Sequence, residues 1–302
     1  MRKKIFAFLQ GGLGNQLFIY SAAKRLSVRT QAELVLDTES GFLNDKTYRR
    51  KYMLEHFNID ARPATTAERL ACLWKIRRKT YRLFSINLFP KHSTYLLKIS
   101  TDYYEPLLSL DFKKTLLLEG YWQSETYFTD IEDIIRKDLA ITPPQDEMNR
   151  KMMERILASE SVAVHVRYFH TPNSSSPFNL GETYYRKAIS FIKERTDNPH
   201  FFIFSDIPDH AREVTGLSSK ESTLLRHNIG DEQSYADLWL MSKCKHHVIA
   251  NSTFSWWGAW LAGHSDQLVV APGKMYSGKY ITWGFDKLIP DHWNTIQTQS
   301  DE

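Results

Sequence analysis

The chain has 302 residues, 42% hydrophobic and 25% charged, with a formal net charge of +4. That length suits two domains of roughly 150 residues, the balance excludes a disordered chain, and the mild positive charge argues only weakly for anionic ligands and not for nucleic acid. Two cysteines, Cys72 and Cys244, make neither a disulfide framework nor a zinc ligand set, and no stretch reaches the ~18 apolar residues of a membrane span, so a cytoplasmic, soluble protein is expected.

Met1-Arg2-Lys3-Lys4 resembles the start of a signal peptide, but the apolar run Ile5 to Leu9 is too short and meets Gly11-Gly12 at once. That run reads as a buried strand. The turn Gln10 to Gln16 leads it into a helix reaching about Val28, with Phe18, Ala22 and Leu26 on one face. A helix start of this kind offers unpaired N–H groups and a positive dipole end to a ligand. A second strand, Leu34 to Leu36, ends at Asp37. The spacing of Gly12, Gly14 and Asp37 imitates a dinucleotide fingerprint, in which the acidic residue holds a ribose, but Leu17 stands where the third glycine belongs. An NAD-dependent oxidoreductase therefore stays open at this point.

Residues 49 to 57 show no period. Residues 69–91 mix Arg and Lys with Trp, Tyr, Phe and Leu, a pattern that fits either a peripheral helix on an anionic inner-membrane surface or, preferably, a solvated helix packed by its apolar side. Leu116 to Leu118 reads as a strand followed by Glu119-Gly120-Tyr121-Trp122-Gln123, where polar groups beside aromatic rings can receive a sugar. Ser124 is the expected N-cap of a helix carrying Tyr127, Phe128, Ile131, Ile134 and Ile135. Asp130 to Asp133 falls on that helix with its carboxylates pointing around the cylinder, so no metal site is expected there. Thr142-Pro143-Pro144 is the linker signal, and the domains are expected at 1–145 and 146–302.

The second half alternates strand and helix, which predicts a doubly wound sheet. Val162 to Val166 is a buried parallel strand with His165 inside it and Arg167 at its carboxyl end, where α/β sheets bind ligands. Arg167 can fork onto a phosphate, or merely pair with a carboxylate at the rim. A helix with Tyr185, Ala188, Ile189 and Ile192 inward follows. A strand Phe201 to Phe204 then ends on Ser205-Asp206, with Pro208 opening the next helix. A short strand near Leu224, a helix from Ser234 to Lys243 with Tyr235, Leu238, Trp239 and Ser242 inward, and a strand Val248 to Ala250 continue the alternation. Asn251-Ser252-Thr253 then starts a helix through Trp260, offering hydroxyls, amides and a dipole to one anion. Trp256, Trp257 and Trp260 read as core packing.

Taken together, Gly11 to Phe18, Glu119 to Gln123, His165-Val166-Arg167, Phe204-Ser205-Asp206 and Asn251 to Trp260 resemble the ordered motifs of the bacterial α-1,2-fucosyltransferases. The resemblance implies an α/β, GT-B-like pair of Rossmann-like domains facing a cleft, with the first domain binding acceptor and the second GDP-fucose. It implies inverting, metal-independent transfer of fucose to a β-galactoside, as a free oligosaccharide or a lipid-linked glycan, in polysaccharide biosynthesis, with no cofactor because GDP-fucose is a substrate. It implies donor-binding roles for Gly12, Gly14, His165, Arg167, Ser205, Asp206, Asn251, Ser252, Thr253, Phe254 and Ser255, with Asp206 holding guanine or ribose, Arg167 and Asn15 catalytic and Asn15 bridging acceptor and donor. Where the family reads H-V-R-R-G-D, this chain reads His165 to His170 as H-V-R-Y-F-H, so the second arginine and the aspartate are missing. By residue type Asp37, Glu119 and His170 can each serve as general base. A sugar-binding module without catalysis is the other alternative.

Overall fold

A computed structural model of the chain describes residues 2–43, 45–71, 93–98, 102–169, 176 and 178–298. The chain divides into two compact units, Met1–Ala140 and Ile141–Glu302, the division falling ahead of Pro143-Pro144 where the sequence reading placed it at 145/146.

The first unit is built from β1 (Lys4–Phe8), α1 (Leu13–Thr30), β2 (Glu33–Asp37), β3 (Arg62–Pro63), α2 (Thr66–Ala71), β4 (Ser93–Lys98), α3 (Pro106–Ser109), β5 (Thr115–Gly120) and α4 (Glu132–Asp138). Its strands run in the order β3-β2-β1-β5-β4 and all pair in parallel. The apolar runs of β1, β2 and β5 are continuous because a parallel sheet is covered on both faces. Alternate residues on one face, Phe6, Phe8, Val35 and Leu117, join Ala64 in one buried cluster.

Burial of α1 extends beyond the expected stripe of Phe18, Ala22 and Leu26 to Gln16, Tyr20 and Lys24. The helix covers the sheet and also meets later segments: Tyr20 Oη donates to Asp138 Oδ2 over 2.6 Å, and Lys24 Nζ lies 2.7 Å from Asp60 and 3.0 Å from Asp138. Ser124 accepts from the Thr126 amide as expected, but it caps a 3₁₀ turn (Glu125–Tyr127). A second such turn follows before α4 begins at Glu132, so the single helix drawn from the sequence is broken. Of residues 69–91, those from 72 onward lie outside the described residues, as does His170. No helix among the described residues is long and apolar enough to cross a membrane.

The second unit begins with α5 (Glu147–Leu157), a helix not expected from the sequence pattern. Asp146 caps it by accepting from the Asn149 amide at 2.9 Å. Then come β6 (Ser161–Val166), α6 (Glu182–Lys193), β7 (His200–Ser205), α7 (Pro208–Thr215), β8 (Ser222–Leu224), α8 (Ser234–Met241), β9 (His246–Val248), α9 (Thr253–Ala262), β10 (Val269–Pro272), β11 (Met275–Ser277), β12 (Tyr280–Trp283) and β13 (Asn294–Ile296). The main sheet is parallel, in the order β13-β10-β9-β6-β7-β8, and β11 and β12 form a separate antiparallel ribbon. One core cluster joins Ile156 of α5 to Ala163, Phe202, Phe204, Trp239 and Met241.

The strand expected at Val248 to Ala250 instead opens at His246. Two histidines hid it from an apolar pattern, and both are satisfied where they are buried: His246 Nε2 lies 2.8 Å from Glu160, and His247 bonds the Met241 carbonyl at 2.9 Å and Gln267 at 2.9 Å. On α8 the buried residues are Ala236, Leu238, Trp239, Leu240 and Met241, while Tyr235 and Ser242 are only half-buried. Trp256 and Trp257 are fully enclosed and Trp260 nearly so, with Trp256 Nε1 donating to the Leu288 carbonyl at 2.9 Å, so the tryptophans pack the core as expected.

Candidate functional site

In the first unit, the polar motifs meet at the carboxyl ends of β1, β2 and β5, which are neighbours in the sheet. After β1 the chain turns through Gly11 at φ +75, and a Cβ there would stand 2.7 Å from Asn15 Nδ2. Gly12, the N-cap of α1, has φ −73, and a Cβ on it would meet nothing nearer than Arg50 at 3.8 Å. The turn's demand for glycine therefore sits at Gly11, one residue ahead of the Gly12 and Gly14 pair that the sequence pattern singles out; Gly14 lies buried inside α1.

Asn15 and Gln16 divide the work of the turn. Asn15 Oδ1 accepts from Gln123 Nε2 at 2.7 Å, tying the start of α1 to the segment after β5. Gln16, fully buried, donates to the Gly11 and Lys51 carbonyls at 3.0 and 2.7 Å and accepts from the Met53 amide at 3.0 Å. It thereby fastens part of the stretch 49–57, which had no readable period because a side chain, not a ladder, holds it. Asp37 ends β2 with Oδ1 accepting from the amides of Glu39 at 3.1 Å and Ser40 at 2.8 Å, a local turn that occupies one oxygen. Glu119 is buried within β5, in register with Leu97.

In the second unit, three motifs converge at the carboxyl ends of β9, β6 and β7, again sheet neighbours. Arg167 Nη1 lies 2.8 Å from Asp206 Oδ2. Of the two readings of Arg167, the structure shows the rim ion pair, and Asp206, read from the sequence as holding guanine or ribose, is engaged by Arg167. Its other oxygen accepts from the Tyr168 amide at 3.2 Å. Burial raises the Asp206 pKa while Arg167 opposes that rise. Ser205 Oγ accepts from the Ile207 amide at 3.1 Å.

His165 is buried with its ring 5.5 Å from that of Phe254, joining β6 to α9. Burial, with the charge of Arg167, pushes its pKa down to about 3, so the ring is neutral at physiological pH. The segment after Arg167 lacks the family's second arginine and aspartate. It is anchored instead by Asp206 on the Tyr168 amide and by Asn179 Oδ1 on the Phe169 amide at 2.7 Å, with Tyr168 itself buried.

The turn into α9 is more self-contained than the sequence implied. Ser252 Oγ caps the Phe254 amide at 3.3 Å, buried Ser255 Oγ accepts from the Ala250 amide at 3.2 Å, and Asn251 Nδ2 donates to the Phe178 carbonyl at 2.9 Å. The cap takes the Phe254 amide out of the expected anion donors, whereas the amides of Thr253 and Ser255 have no partner among the described residues. Two buried polar atoms at this rim also lack one, His165 Nδ1 and Asn251 Oδ1. Unsatisfied buried groups are costly, and their concentration beside a charged guanidinium and amides without a partner among the described residues makes this rim a candidate polar ligand site. Among the described residues no group of three His, Cys, Asp or Glu side chains is arranged to hold a metal ion.

Among known proteins, Glycosyl transferase family 11 matches residues 4–297. The chain is 30% identical to an Escherichia coli α-1,2-colitosyltransferase, over 97% of this chain and 99% of that protein. It is 26% identical to the galactoside α-(1,2)-fucosyltransferase 1 of Aotus azarae over 49% of this chain and 43% of that one. It shares its fold with the Arabidopsis thaliana FUT1 mutant solved in complex with GDP, at TM-score 0.55 and 12% identity, over 89% of this chain and 70% of that one. The fold is GT-B, α/β with parallel sheets in two domains.

Proposed function

Since the chain belongs to Glycosyl transferase family 11, a family of glycosyltransferases, we propose that it moves L-fucose from GDP-fucose to a galactoside hydroxyl, in α-1,2 linkage and with inversion. The observation that carries this reading is the rim of β9, β6 and β7. There Arg167 is held by one edge of its guanidinium, and the amides of Thr253 and Ser255 and the orphaned His165 Nδ1 and Asn251 Oδ1 have no partner among the described residues. An acceptor hydroxyl attacks the anomeric carbon as GDP leaves from the opposite face, and negative charge grows on the β-phosphate. Arg167 and the two amides are fixed donors for that charge, an arrangement that can supply several kcal/mol. Asn15, in the first unit, acts on the reacting sugars, and the acceptor base comes from Asp37, Glu119 or His170. The dehydrogenase reading falls with family membership.

The galactoside and fucose assignments draw on the Aotus relative, and the α-1,2 linkage on both relatives. Because the bacterial relative is a colitosyltransferase, a colitose donor is the second reading. The test offers GDP-fucose and the corresponding colitose nucleotide to the enzyme with a panel of β-galactosides and follows GDP release and the linkage formed. Faster transfer from the colitose donor would reassign the sugar. GDP binding without release of GDP from either donor would leave a binding module.

A further inference from the structure

The side-chain amide of Asn15 has chemically opposite ends: Oδ1 only accepts a hydrogen bond and Nδ2 only donates. Gln123 determines which end is tied. Its Nε2 donates to Asn15 Oδ1 over 2.7 Å, across 108 residues of sequence, so Nδ2 is the end directed elsewhere. Nδ2 lies beside Gly11, where a Cβ would come within 2.7 Å of it and 3.3 Å of Tyr121 Oη. The missing side chain at Gly11 therefore keeps a small space open between an amide donor and a phenol. Burial, with Asp45 contributing, raises the Tyr121 pKa, so that phenol keeps its proton.

We propose that Gln123 is a positioning residue that locks the Asn15 amide so that it presents N–H, not C=O, to an oxygen of the sugar substrate. This rests on the reading of Asn15 as a residue that acts on the reacting sugars. Left alone, an asparagine amide turns over at little cost, and half of its orientations would present a lone pair to the substrate's lone pair. The hydrogen bond from Gln123 Nε2, on the segment just after β5, favours the orientation with Oδ1 tied, which is preorganisation of the kind that acts on turnover.

Gln123→Glu tests it with almost no change in shape. An ionised carboxylate can only accept, so Asn15 must turn its Nδ2 toward residue 123 and its Oδ1 toward the substrate. The expected result is a kcat lowered about 10-fold or more, with the melting temperature and GDP affinity near those of the wild type. The loss should shrink as pH is lowered toward the range near 4 where a glutamic acid regains a proton and can again donate to Asn15 Oδ1. The double variant Asn15→Ala/Gln123→Glu should be no slower than Asn15→Ala alone, because the two residues act as one unit. Wild-type kcat and KM in Gln123→Glu, in an enzyme whose wild type turns over, would overturn the assignment. Should the wild type transfer no sugar at all, the proposed function fails, and the orientation is still read from the ¹⁵N-labelled Asn15 side-chain amide. A downfield proton shift in Gln123→Glu supports the lock, and an unchanged resonance overturns it.

Discussion

Arg167 and Asp206, at the ends of adjacent parallel strands, face each other with Nη1 and Oδ2 2.8 Å apart. The carboxylate also receives the Tyr168 amide, so it is a fixed post, not a mobile counter-ion. One edge of the guanidinium is held while its remaining donors have no hydrogen-bond partner among the described residues, the geometry suited to a phosphate arriving from the other side.

Arg167→Lys should keep the charge pair with Asp206 and lose most activity, about 100-fold in kcat/KM, because a point ammonium has no fork. Steady-state kinetics with circular dichroism as the fold control checks this. Activity near wild type would remove Arg167 from the donor site.

Asp206→Asn should weaken GDP about 10-fold yet leave guanosine binding unchanged, if the carboxylate acts through Arg167 on the phosphates. Calorimetric titration with both ligands separates the cases. An equal loss for guanosine would restore the direct nucleoside contact expected from sequence.

Gly11→Ala is expected to lower stability by about 1–2 kcal/mol and to reduce turnover. The alanine must hold φ +75 and its Cβ would collide with Asn15. Gly12→Ala, at φ −73 with open space, should change stability by less than about 0.5 kcal/mol. Urea unfolding of both variants decides, and equal losses would refute the assignment of strain to Gly11.

Burial pushes the Asp237 carboxyl up to about 7, with the hydrogen bond from Asn228 Nδ2, 2.8 Å away, pulling the other way. The neighbouring network includes Asn149, which meets Asn228, His227 and Asp146. An unfolded aspartate titrates near 3.9, so between about pH 4 and 7 the native state keeps a proton the unfolded state has lost, and stability falls as pH rises. Asp237→Asn abolishes that titration. Its stability relative to wild type should climb from pH 4 to pH 8 by up to about 4 kcal/mol. A difference that stays flat with pH would show that Asp237 is not the titrating group.

Activity is expected to persist in EDTA, since among the described residues no group of three His, Cys, Asp or Glu is arranged to hold a metal ion and Arg167 is the residue proposed to meet the charge on the leaving phosphate. Loss in EDTA with recovery on adding manganese would contradict this.

The local alphabet of the fold was readable where one physical signal dominates. Short continuous apolar runs such as Ile5 to Leu9 and Phe201 to Phe204, bounded by turn residues, fit strands buried on both faces, and Pro208 and Ser252 mark helix starts by chemistry confined to a few residues. Signals failed where satisfaction comes from afar. The β9 histidines look polar until Glu160, Met241 and Gln267 pair them, and residues 51–53 look patternless until Gln16 clamps them.

The same division holds at the site. The order of residues along the chain determined which types would stand at strand ends: Asn15 after β1, Arg167 after β6, Asp206 after β7 and Ser252 before α9. Only the tertiary structure decided which of their atoms are already used. It turns Arg167 and Asp206 into a pair, closes Ser252 and Ser255 on their own backbone, moves the demand for glycine to Gly11, and makes Gln123 the partner of Asn15. The reason is that a side chain's type is fixed by its codon, whereas a hydrogen-bond partner is fixed by which strands lie side by side. In a sheet ordered β3-β2-β1-β5-β4, residues 15 and 123 become neighbours only after the chain between them has left and returned.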